Sequence, residues 1–89
     1  MRIISQSGRF DIPYENAVVY LEYESVIAKV GDERYAMGKY STEEKAFKAM
    51  EMLREVFLKF STATNRDNFY EFFNEPKVYQ FPQDEEIEV

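Results

Sequence analysis

The sequence predicts an α+β fold: an antiparallel β-meander of about four to five strands packed by one long helix, followed by a short helix and a C-terminal strand. Three observations predict it. Residues 17–40 alternate apolar and polar side chains in three runs separated by short turn-forming pairs. Residues 41–60, STEEKAFKAMEMLREVFLKF, then change to the 3.6-residue period of an amphipathic helix. The links between the strand-like runs are too short for anything but antiparallel neighbours.

Taken in order, Met1 to Gln6 carries Ile3 and Ile4 between polar residues, a short strand, and Ser7-Gly8 turns it into a second strand, Arg9 to Ile12. Pro13 has no N–H to give a ladder, so that strand lies at an edge or ends there. Tyr14-Glu15-Asn16 turns the chain again. From Ala17 to Tyr23, Ala17, Val19, Leu21 and Tyr23 share one face while Val18, Tyr20 and Glu22 share the other. After a turn at Glu24-Ser25, Val26, Ala28 and Val30 alternate against Ile27 and Lys29. Gly31-Asp32 turns into a third run, where Tyr35, Met37 and Lys39 alternate against Arg34, Ala36, Gly38 and Tyr40.

Ser41 and Glu44 read as an S-x-x-E capping box opening the long helix, and Glu43 and Glu44 suit the positive end of its dipole. At about 100° per residue, Ala46, Met50, Leu53, Phe57 and Phe60 form a core-facing stripe, with Ala49 and Val56 beside it. Phe47 and Leu58 lie well off that stripe and call for a second apolar surface, from another segment or another subunit. Residues 61–65 break the pattern. Asp67 then caps a short helix, Asn68 to Asn74, with Phe69, Phe72 and Phe73 at i, i+3 and i+4. Pro76 ends it, and Lys77 to Phe81 has strand character. Residues 1–82 are thus read as a single domain, and residues 83–89, QDEEIEV, as an acidic, mobile tail.

Composition narrows the chemistry. The chain has no cysteine and no histidine, which excludes disulfides and thiolate zinc sites and removes the commonest general base. Neither an enzyme nor a metal or other cofactor is expected. The net charge of −6 is concentrated at the end, where the last seven residues hold four acids and no base. Residues 1–82 hold thirteen acids against eleven bases, so the basic face that duplex nucleic acid requires is lacking. A small nucleotide needs only one or two cations. No apolar run approaches the ~20 residues of a membrane span, and MRIIS lacks a signal-peptide core, so the cytoplasm is the expected location.

Two clusters could bind a ligand. In residues 65–75, NRDNFYEFFNE, Arg66 could hold a phosphate, Asn68 could read a base edge, and Phe69 or Tyr70 could stack on it. A capped amphipathic helix with phenylalanines in the core accounts for the same residues. Lys29 and Arg34 beside Tyr20 could form a phosphate-and-ring pocket on the outer sheet face; surface pairing with Glu22 and Glu33 is the alternative. The acids Asp84, Glu85, Glu86 and Glu88 either solvate the chain end or mimic phosphate.

Three blocks, MRIISQSG followed by DIPYENAVV, then KYSTEEKAFKAMEMLRE, then VYQFPQDEEIEV, together resemble small proteins encoded by phages and prophages of Firmicutes. The blocks cover roughly half the chain and are structural in content; residues 61–75 are unmatched. The resemblance implies a phage accessory protein working in the host cytoplasm. By analogy with small anti-defence phage proteins, it implies a homo-oligomeric sponge that sequesters a nucleotide immune signal, a cyclic oligonucleotide or an ADP-ribose derivative. The residues expected to bind it are Arg66, Asn68, Phe69, Tyr70 and Lys29. The rival expectation is an inhibitor or adaptor that binds a host protein through the short aromatic helix and the acidic tail.

Overall fold

The computed structural model describes residues 1–63 and 78–88. Six strands and one long helix follow one another as β1 (Arg2–Ile4), β2 (Asp11–Pro13), β3 (Val18–Glu22), β4 (Ser25–Val30), β5 (Glu33–Lys39), α1 (Glu43–Ala63) and β6 (Val78–Gln80). Single 3-10 turns sit at Tyr14–Asn16 and Asp84–Glu86. The class is α+β, but the strands divide between two three-stranded sheets, ordered β2-β1-β6 and β3-β4-β5, instead of forming one meander. The second sheet is the expected antiparallel meander. In the first, β2 runs antiparallel to β1, whereas β6 returns parallel to it with Ile3 opposite Tyr79. A parallel partner must come from a long crossover, and α1 lies within this one.

The first hairpin closes through a wider loop than Ser7-Gly8 alone. Ser5 N–H donates to Phe10 O at 2.8 Å, Gly8 N–H to Ser5 O at 2.9 Å, and the buried Ser5 hydroxyl accepts from Phe10 N–H at 3.1 Å. Pro13 ends β2, which pairs only with β1 among the described residues. The turn between β3 and β4 is at Tyr23-Glu24, one residue earlier than expected, because Glu22 pairs with Ser25. That register forces Tyr23 to φ 55°, where glycine or asparagine is usual.

The simple alternation expected for β5 also fails. Ile27 pairs with Ala36 but Val26 pairs with Gly38, so Met37 is an extra residue at a bulge. Beyond it the facing residues change phase: Met37 and Tyr40 are both buried, while Lys39 is exposed.

The helix begins one residue later than the sequence suggests. Its cap is Thr42, whose hydroxyl accepts from Lys45 N–H at 3.1 Å and whose carbonyl accepts from Ala46 N–H at 3.2 Å. Ser41 instead donates its N–H to the Asp84 carboxylate at 2.8 Å, so the S-x-x-E box does not form. The helix also continues through 61–63, past the expected break, because serine and threonine carry only a small helical penalty and alanine none. Ala46, Ala49 and Leu53 are its buried line, and the two alanines let its backbone approach the β4 side of the core. Met50 and Phe57 are half-buried beside them, with Phe57 edge-on to Tyr14 at 5.0 Å. Val56 stays exposed, and Phe47 keeps 50% of its surface exposed.

The acidic end, expected to trail from the body, packs against it. Ile87 is 4% exposed and belongs to the same core cluster as Ile3, Val26 and Leu53. Lys45 Nζ donates to Asp84 O at 3.1 Å and approaches Asp84 Oδ2 at 3.4 Å, and Gln83 N–H donates to Glu86 Oε1 at 2.7 Å. One apolar residue and one well-placed acid are enough to hold a segment whose remaining acids face water. Among the described residues, no helix is long and apolar enough to cross a membrane.

Gln6 ties the two sheets to this segment. Its N–H donates to Met37 O at 2.6 Å, its side-chain oxygen accepts from Lys39 N–H at 3.1 Å, and its side-chain amide donates to Pro82 O at 3.2 Å. Its own carbonyl accepts from Gln83 Nε2 at 2.9 Å.

Candidate functional site

The register of β3, β4 and β5 places three cross-strand rows on the face away from the helix: Val18–Lys29–Arg34, Tyr20–Ile27–Ala36 and Glu22–Ser25–Lys39. Paired residues share a face, so these side chains project together while Val19, Leu21, Val26 and Ala28 turn to the core. This outer face brings together an aromatic ring and three cations, Lys29, Arg34 and Lys39.

Arg34 organises it. From the edge of β5 its side chain reaches across β4 to β3, placing Cζ 5.9 Å from the centre of the Tyr20 ring and its Nη2 in an ion pair with the Glu22 carboxylate. In doing so it crosses the row of Ile27, which is only 8% exposed although it lies outside the helix-side core cluster. The Arg34 side chain keeps about half of its surface exposed. Hydrogen bonding to Tyr20, then the nearby Glu22 charge, hold the Arg34 pKa above its ordinary value, so this cation stays charged at any physiological pH.

Lys29 is the only predicted site residue that the described structure contains. It is exposed between Val18 and Arg34 and makes no ion pair among the described residues. Arg66, Asn68, Phe69 and Tyr70, with the short helix expected at 68–74, lie outside the described residues. The pairing of Arg34 with Glu22, weighed as an alternative to a pocket, is present; it coexists with the ring contact and leaves Lys29 unengaged. What sequence reasoning missed is the burial of Ile27 on this outer face. The signal for it was an apolar residue in the same face pattern as Lys29, flanked by long side chains.

Chemically, the face offers a π surface already polarised by a cation, with a second cation one row away. Such a surface suits a planar ring bearing negative charge. Comparison with protein-family models, with curated proteins and with solved structures returns no match, so the reading of this face rests on its own geometry.

Proposed function

We propose that this chain is a non-enzymatic phage accessory protein that binds and sequesters a small nucleotide immune signal in the host cytoplasm, acting by mass action as an anti-defence sponge. The observation that carries this reading is the grouping of Tyr20, Arg34 and Lys29 on one sheet face. The base stacks on Tyr20, and the phosphates take Arg34 and Lys29. Glu22 must release Arg34 as the phosphate arrives, an exchange of one anion for another at the same guanidinium. Arg66, Asn68, Phe69 and Tyr70 are the further contacts proposed from sequence, and Arg66→Ala is expected to lose nucleotide binding with folding intact.

The rival, a host-protein inhibitor acting through its acidic end, is less favoured because Asp84, Glu86 and Ile87 are committed to the body of the protein. Truncation after Pro82 would therefore remove core as well as charge. Glu85→Gln with Glu88→Gln separates the readings instead, leaving a sponge unaffected and weakening a tail-dependent inhibitor.

The deciding experiment is calorimetric titration with cyclic dinucleotides, cyclic trinucleotides and cyclic ADP-ribose isomers, with recovery of the ligand after denaturation. Tight binding with the ligand recovered intact is the expected result. Silence across the panel, or a chemically altered ligand, overturns the sponge reading.

A further inference from the structure

Among the described residues, one edge of the second sheet is unguarded. Strand β3 pairs only with β4 among the described residues, and its first four residues, Val18 to Leu21, carry neither charge nor proline. Val18 is 65% exposed. Of the other edges, β5 carries Glu33, Arg34 and Lys39, β2 carries Asp11 and Pro13, and β2 and β6 are each only three residues long. A five-residue edge whose first four residues are uncharged is a template for another strand.

We propose that the occupant is β3 of a second copy, paired antiparallel about a two-fold axis at Tyr20. The pattern of β3 itself selects this register. Core-facing residues must meet core-facing residues across the junction, and only the register centred on Tyr20 does this while pairing all five residues. It sets Val19 against Leu21 of the second copy twice, extending both cores, and sets the two Tyr20 rings side by side.

Charge supplies the argument for a second copy over a foreign strand. In this register Val18 faces Glu22 of the second copy, which extends the row Arg34–Lys29–Val18 by a carboxylate. Lys29 and that glutamate are two strand spacings apart, roughly 10 Å between Cα atoms, within the combined reach of the two side chains. Glu22 then lies between Arg34 of its own chain and Lys29 of the other, and Lys29 gains an ion-pair partner that it lacks among the described residues. The two-fold repeats the pair, so the edge is complementary to itself. The proposal stands whether or not the sheet face binds a nucleotide.

The chain has no cysteine, so one introduced cysteine reports the register cleanly. Facing residues of an antiparallel pair have Cα atoms about 4.5–5.5 Å apart, within disulfide range. Sedimentation velocity over a concentration series is expected to show a reversible monomer–dimer equilibrium for the unaltered protein. Under mild oxidation Tyr20→Cys is expected to form a covalent dimer, while Phe47→Cys, on the exposed flank of α1, is expected to form none. Without touching Tyr20, Glu22→Lys and Lys29→Glu are each expected to weaken association about five- to ten-fold, and the double exchange to restore it. A monomer at every concentration overturns the proposal. So does cross-linking through Phe47→Cys in place of Tyr20→Cys, or protection of the β3 edge amides from hydrogen exchange that does not change with concentration, which would mean the chain covers its own edge.

Discussion

The ring of Tyr40 lies so close over Gly38 that a Cβ at Gly38 would stand 2.8 Å from both Cε2 and the hydroxyl oxygen. That hydroxyl donates to Pro82 O at 2.9 Å, so the missing side chain of Gly38 is what lets Tyr40 reach the C-terminal segment. Gly38→Ala must displace the ring and is expected to destabilise the protein by about 1–3 kcal/mol. Tyr40→Phe keeps the ring and loses one hydrogen bond, for about 1 kcal/mol. Chemical denaturation of both variants checks the order.

Gln6 is the second joint. Gln6→Ala removes the acceptor for Lys39 N–H and the donor for Pro82 O. Lys39 N–H is orphaned while Pro82 O keeps the Tyr40 hydroxyl, so a loss of about 1–2 kcal/mol is expected. Amide exchange should accelerate in β5 and at residues 80–83 before it does in α1, since those are the segments Gln6 joins.

Asp84 gives stability a defined acid limb. The Ser41 N–H bond, aided by the Ser41 side chain and Lys45, holds its carboxyl pKa below the ordinary value of 3.8. A carboxyl depressed on folding stabilises fully above its unfolded pKa and loses that contribution as pH falls through the lower folded value. Asp84→Asn keeps an acceptor oxygen but cannot titrate. Its unfolding profile is expected to be flatter than the parent's below about pH 4, with the offset constant at neutral pH.

Tyr23 holds a left-handed backbone at a two-residue turn and is 77% exposed. No contact among the described residues offsets that conformation, so Tyr23→Asn is expected to stabilise by roughly 0.5–1 kcal/mol. Thermal unfolding measures it. A destabilised variant would mean that the ring makes a contact worth more than the strain.

If phosphate binds at Arg34, Glu22 is its competitor. Glu22→Gln is expected to tighten nucleotide binding by about three- to ten-fold, while Lys29→Ala loosens it by a similar factor. Unchanged affinities in both variants would move the site off this sheet face.

The turn at Gly31-Asp32, the meander β3-β4-β5, the long helix with Ala46 and Leu53 inward, and strand character at 78–80 were all legible before any coordinates, because each follows from local periodicity or turn chemistry. The candidate site was legible only as a set of residue types. Lys29, Arg34 and Tyr20 lie on one face through alternation alone, but the reach of Arg34 across β4 to Tyr20 depends on a register that no local pattern states.

The sequence by itself determined which segments are strands and that neither thiol nor imidazole chemistry is available to this chain. Only the tertiary structure decided that the strands divide between two sheets, that Thr42 and not Ser41 caps the helix, and that the acidic end belongs to the core through Ile87. The reason is range. Propensity and periodicity act over one or two turns of chain, whereas the bond from Ser41 N–H to Asp84 and the pairing of β6 with β1 join groups some forty or more residues apart in sequence, which meet only when the core closes.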